Sequence, residues 1–131
     1  MDLREIHHRF FSFRNGIVAK VFSDVASPYR RVFGLQLPQL ASIAIEVGLD
    51  NKLAEELWAE KDCRESRLLA CYLFDPDTLE EHSALALASD LQTREEADIL
   101  AWRLLRRLPY ATDLLPNLSG YISEALARNI E

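Results

Sequence analysis

Apolar residues recur along this chain at spacings of three and four. Alternation at spacing two is absent over any useful length, so the pattern predicts helices throughout. Ile6, Phe10 and Phe13 mark one face of a helix from Asp2 to Phe13. Asn15-Gly16 interrupts it, and a second helix continues to about Val25. Ala26 to Gln36, punctuated by Pro28 and Gly34, reads as the longest irregular stretch. A third helix carries Leu40, Ile43, Ala44 and Val47. Pro38 suits its first turn, where a missing N–H costs nothing, and Gly48 suits its left-handed terminator. Asp50 or Asn51 caps a fourth helix with Leu53, Leu57 and Trp58. Asp62-x-x-Glu65 and Asp77-x-x-Glu80 read as the caps of a fifth and a sixth. Thr93-x-x-Glu96 is a capping box for a seventh, whose stripe is Ala97, Leu100, Ala101, Leu104, Leu105 and Leu108 and which Pro109 stops. Asn117 caps a last helix with Leu118, Tyr121, Ile122, Ala125, Leu126 and Ile130 on its apolar side.

Seven or eight helices of roughly 9–16 residues on short turns must run antiparallel to their neighbours, and stacked pairs give a short α-solenoid. The expected class is therefore all-α, with a compact helical bundle as the structural alternative. A chain of 131 residues is expected to form one domain over 1–131 and to bury about two-thirds of its unfolded surface. No run of about 18 apolar residues occurs, so no transmembrane helix is expected. The N-terminal residues Met1 to His8 lack the apolar core of a signal peptide, which makes a cytoplasmic location the expectation.

Charge changes the picture more than composition does. The net charge is −6, the wrong sign for a typical nucleic-acid binder. Residues 1–34, however, carry six basic and three acidic side chains, against nine basic and 18 acidic in the remainder. The basic front end leaves room for a local phosphate-facing patch.

Most catalytic chemistry is excluded. Four glycines cannot build a phosphate-cradling loop, and neither His-Glu-x-x-His nor Gly-x-Ser-x-Gly occurs. Cys63 and Cys71 lie in one predicted helix, where eight residues of rise put their Cα atoms about 12 Å apart, too far for a disulfide. No cysteine or histidine spacing suits zinc. The adjacent His7 and His8 diverge by about 100° on a helix, which disfavours a shared metal. Neither a metal nor a cofactor is expected.

The most informative stretch runs from Phe33 to Pro76. It opens Phe33-Gly34-Leu35-Gln36-Leu37-Pro38-Gln39-Leu40 and ends with Cys63-Arg64-Glu65-Ser66-Arg67-Leu68-Leu69-Ala70, then Asp75-Pro76. A Gly-x-x-x-Pro turn followed about thirty residues later by an Arg-Glu-x-Arg-Leu-Leu-Ala helix resembles the front half of the DNA alkylation repair (AlkD-like) family, helical-repeat DNA glycosylases of HEAT-like, ARM-type superhelical fold. The resemblance spans roughly Phe10 to Leu108. It implies duplex DNA as a partner and excision of N-alkylated purines as the ancestral chemistry.

Arg94, Asp98 and Trp102 are spaced by four and share one face of the seventh helix. In the resembled family a helix at this point carries a tryptophan and, four residues on, an aspartate that stabilises positive charge developing on the sugar. The resemblance assigns the aspartate to Asp98, the catalytic candidate, and puts Arg94 where the tryptophan would stand. Trp102, one turn the other way, is the substitute aromatic surface. The family also relies on an arginine and a second tryptophan from later helices, for which the resemblance finds no counterpart. Arg64 and Arg67 on the fifth helix, with Arg103, Arg106 and Arg107 at the end of the seventh, complete the DNA-binding candidates. Each of these arginines reads more readily as a solvated or dipole-compensating charge than as a phosphate contact.

The resulting expectation is a shortened, catalytically silent family member acting as a helical-repeat binding module for DNA or protein. The alternative is a glycosylase completed by dimerisation. The apolar stripe of the last helix is the expected docking edge for a protein partner or a second copy.

Overall fold

Helices form where the sequence supplies a cap and an apolar stripe. The computed structural model describes residues 1–22 and 27–130. The predicted continuation of the second helix over 23–25, and Ala26 after it, lie outside the described residues. Packing divides the chain into two compact units, Met1–Leu73 and Phe74–Glu131.

In the first unit, Asp2 opens α1 (Leu3–Ser12) with a capping box: its carboxylate accepts the Glu5 N–H, and the Glu5 carboxylate accepts the Asp2 N–H. Ile6 and Phe10 are fully buried, whereas Phe11 and Phe13 stand exposed. Phe13, expected on the apolar face beside Ile6 and Phe10, is thus corrected to an exposed position, while Phe10 meets Phe33 at 5.7 Å between ring centres. Asn15 caps α2 (Gly16–Phe22), its side-chain oxygen accepting from the Ile17 and Val18 N–H groups. α3 (Leu37–Val47) has Pro38 in its first turn and ends on Gly48 at φ 79°. Asp50 caps α4 (Asn51–Trp58) through the Leu53 N–H.

α5 (Arg64–Leu73) is the axis of this unit. It packs on α3 and α4, and all ten of its residues are buried. Asp62 does not serve it as the predicted cap. Its carboxylate instead takes the Arg31 guanidinium through Nε at 3.3 Å and Nη2 at 3.1 Å, and its carbonyl accepts both the Arg30 and Arg31 N–H groups. Segment 30–31 is thereby zipped onto the entrance of α5.

In the second unit, α6 (Glu81–Ser89) begins later than Asp77-x-x-Glu80 suggests, with Glu80 at the N-cap. Thr93 caps α7 (Arg94–Arg103) as expected, but the buried Glu96 accepts from the Gln92 N–H instead of closing the box on Thr93. α7 ends at Arg103, and residues 105–107 tighten into a 3₁₀ turn. Leu108 is extended before Pro109, as a residue preceding proline must be. The six-residue stripe from Ala97 to Leu108 is nonetheless buried throughout. α8 (Ala111–Leu114) and a 3₁₀ turn over 115–117 precede Gly120, at φ 78°, and α9 (Tyr121–Ile130). The last helix therefore starts after Gly120 and not at Asn117.

α9 packs on α7, with Ile122, Ala125 and Leu126 buried and Leu118 and Ile130 half-buried. The described elements are all helical, the all-α architecture that the periodicity predicts. They are shorter than expected, from four to eleven residues, because each turn is broken by a cap or a proline that the apolar pattern alone runs through. Among the described residues no helix is long and apolar enough to cross a membrane.

Candidate functional site

The α5 arginines are placed by sequence at a phosphate surface and by the structure inside the first unit. Arg64 is 2% exposed and Arg67 0%. Arg64 Nη1 donates to the Leu35 carbonyl at 2.9 Å and pairs with Glu65 at 2.7 Å. Glu65 in turn accepts the Phe33 N–H at 2.9 Å and the Gly34 N–H at 3.1 Å. Arg67 donates to the Trp58 carbonyl at 2.8 Å and lies 3.6 Å above the Trp58 ring. Both guanidinium groups are consumed by carbonyls, a carboxylate and an aromatic face, so Arg64 and Arg67 are withdrawn as DNA contacts. The Arg-Glu-x-Arg motif instead fastens the Phe33–Gly34 turn and the end of α4 to α5. Burial also pushes the pKa of the Cys63 thiol upward, keeping it protonated and inert, and the buried Cys71 thiol donates to the Arg67 carbonyl at 3.5 Å.

The remaining candidates gather on the second unit, where α7 lies against α9. Asp98, half exposed, does not pair with Arg94, four residues back. Its Oδ1 accepts the Tyr121 hydroxyl at 2.8 Å and lies 3.6 Å from Arg128 Nη2. Arg128 also donates to the Tyr121 oxygen at 3.0 Å, giving a directed relay from Arg128 through Tyr121 to Asp98. That bond to Tyr121 is the main reason the Arg128 guanidinium holds its proton above the usual arginine range, with Asp98 contributing less. Arg94 crosses the Tyr121 ring at 4.8 Å and Arg128 at 5.5 Å, so two cations flank one phenol. A shallow groove beside it is lined by Gln92, Thr93, Arg94, Ser119 and Tyr121.

Further along α7, Trp102 is 39% exposed. Arg103 lies 5.1 Å above its ring, and Arg106 Nε donates to its carbonyl. Arg106 and Arg107 are exposed at the 3₁₀ turn. The structure thus keeps Arg94, Asp98, Trp102, Arg103, Arg106 and Arg107 on one unit and adds Tyr121 and Arg128. Sequence reading put Tyr121 in the apolar stripe of the last helix and passed over Arg128: their spacing of seven puts both on one face of α9, but nothing local shows that this face meets Asp98.

Such a cluster attracts anions and offers a flat cationic-aromatic surface. The Asp98 carboxylate already faces a hydroxyl donor and a guanidinium, and Glu124 also acts on Arg128. Among the described residues no group of three or more histidine, cysteine or acidic side chains could hold a metal ion.

The sequence model of the DNA alkylation repair enzyme family matches residues 8–124. No curated protein matches by sequence. Among solved structures, the chain superposes with a TM-score of 0.85 and 19% identity on one described as a new family of proteins related to the HEAT-like repeat DNA glycosylases with affinity for branched DNA structures. The match covers 98% of this chain and 56% of the other, so the chain spans little more than half of that relative's length. Its fold is the HEAT-like helical repeat.

Proposed function

The chain belongs to the DNA alkylation repair enzyme family, and from that membership we propose that it binds DNA through the α7–α9 face without cleaving the glycosidic bond. The observation that carries this reading is the Arg128–Tyr121–Asp98 relay. A carboxylate accelerates glycosidic cleavage only if its charge stabilises the cationic transition state more than the ground state. Asp98 spends that charge on Tyr121 and Arg128, whose positive charge opposes a second cation beside it. The same arrangement favours a phosphate. Arg94 and Arg128 are held over Tyr121, and Arg103, Arg106 and Arg107 extend positive charge past Trp102.

The structural relative's affinity for branched DNA supports extending this reading to branched substrates. The acidic total charge does not prevent it, because phosphate attraction depends on charges within a Debye length, about 8–10 Å at physiological salt. Equilibrium binding to linear and branched DNA over a salt series tests the proposal. Binding whose logarithm falls linearly with log salt, together with no release of 3-methyladenine or 7-methylguanine, is the expected result. Excision by the native protein that disappears in Asp98→Asn would establish the alternative, a working glycosylase, which the half-exposed Asp98 carboxylate favours.

A further inference from the structure

The first unit carries an apolar ridge that its own core does not use. On α2, Ile17 is 83% exposed and Val21 72%. Their spacing of four puts both on one face of the helix, and Phe11, 53% exposed, stands on the helix before it. Three large apolar side chains exposed on two successive helices exceed the scattered single exposures usual on a protein surface.

The ridge is held firmly from behind. Asn15 N–H donates to the Phe33 carbonyl at 2.7 Å, which docks the start of α2 on the Phe33–Gly34 turn. Gly34, at φ +83°, lies so close that a Cβ there would stand 2.2 Å from the Asn15 carbonyl oxygen. The same turn is clamped by the buried Glu65 carboxylate. An exposed apolar helix face anchored to a buried ion pair is presented, not merely left uncovered.

Its surroundings select the occupant. Arg14 lies 3.8 Å above the Phe11 ring and Lys20 stands exposed one turn along α2. Among the described residues, the carboxylates of α1 and α3 are engaged elsewhere: Asp2 and Glu5 in their capping box and Glu46 with Arg9. An apolar ridge with cationic flanks matches exposed bases flanked by phosphates, the surface that DNA offers at a branch point but not along an intact duplex.

We propose that Ile17 and Val21 act as a wedge against the unstacked bases of a DNA branch, with Arg14 and Lys20 on the adjoining phosphates. The proposal rests on the DNA-binding reading above and adds the element that distinguishes branched from linear DNA. The test is anisotropy titration of a three-way junction, carrying 2-aminopurine at the branch, and of a linear duplex of equal length. The native chain is compared with the double variant Ile17→Gln, Val21→Gln. Both sites are exposed and glutamine is a good helix former, so circular dichroism should be unchanged.

The expected result is a junction affinity lower by about tenfold in the variant, the scale of losing one stacked base, with duplex affinity unchanged and the 2-aminopurine enhancement lost. An undiminished junction preference in the folded variant would overturn the wedge while leaving DNA binding intact. Absence of any binding by the native chain would instead sink the DNA-binding reading, and the wedge with it. Co-sedimentation with anionic vesicles that the variant loses, while junction preference persists, would reassign the ridge to a lipid surface and also overturn the proposal.

Discussion

The Tyr121 hydroxyl donates to Asp98 Oδ1 at 2.8 Å, joining the N-terminal turn of α9 to the middle of α7. Because the same hydroxyl accepts from Arg128, the carboxylate ends a chain of donors that begins on a cation. Hydrogen bonds in such a chain polarise one another, so each member is held more firmly than it would be alone.

Removing the charge at that end should help DNA binding. Asp98→Asn leaves Arg94 and Arg128 in place and removes a carboxylate that repels phosphate. Affinity for DNA is expected to rise by up to about fivefold at low salt, corresponding to about 1 kcal/mol for one near-surface charge. Fluorescence titration checks the sign, and a fall in affinity would count against the phosphate role of this face.

Gly34 should tolerate no side chain. Gly34→Ala combines a positive φ with a Cβ placed 2.2 Å from one backbone oxygen and 2.7 Å from the Ala19 nitrogen. Neither is the end of a flexible side chain, so α2 must move. The cost is expected to be at least about 1–3 kcal/mol in urea unfolding, and amide exchange should quicken in α2 more than in α9.

The buried Arg64–Glu65 pair should behave as structure and not as a DNA contact. Glu65→Gln leaves Arg64 without its carboxylate and weakens the clamp on Phe33 and Gly34. A loss of about 3–5 kcal/mol is expected by chemical denaturation, as for other buried pairs deprived of one partner. In whatever fraction remains folded, the salt slope of DNA binding should not change.

How much of this was legible in the sequence depends on the reach of each interaction. Asp2, Asp50 and Thr93 are caps that act within three residues: Thr93 caps the helix expected of it, Asp50 is the one of two candidates that caps α4, and Asp2, read as the first residue of its helix, caps it instead. The Gly34-to-Pro38 turn and the stripe from Ala97 to Leu108 were likewise local patterns. Asp62 carries an equally good capping pattern, yet it is drawn to Arg31, thirty-one residues away. Arg64 and Arg67 look like solvated charges because the sequence cannot show that α5 is covered by α3, α4 and segment 30–36. Tyr121 and Arg128 reach Asp98 only through the pairing of α7 with α9. Local chemistry was readable, and partners across helices were not.

Asp62 also gives the first unit a dependence on acid. The Arg31 guanidinium bonded to it holds the Asp62 carboxyl below its ordinary range in the folded state. A depressed folded value means that the pair stabilises the fold above the unfolded aspartate pKa of about 3.9 and ceases to as pH falls through the lower folded value. Both side chains are about half exposed, so the contribution should stay under about 1 kcal/mol. Asp62→Asn is expected to flatten the stability profile below about pH 4 and to leave its shape at pH 6–8 unchanged.

The Arg128–Tyr121–Asp98 relay supports the proposal that this chain holds DNA by its phosphates and does not cut the base from the sugar. Its most direct test is equilibrium binding of the native chain to a branched DNA and a matched linear duplex from about 20 to 300 mM salt, with base release measured in the same tubes. Tighter binding to the branched form, a linear fall of log affinity with log salt for both, and no release of alkylated base are expected. Absence of binding at the lowest salt, or release of alkylated base by the native chain and not by Asp98→Asn, would contradict the proposal.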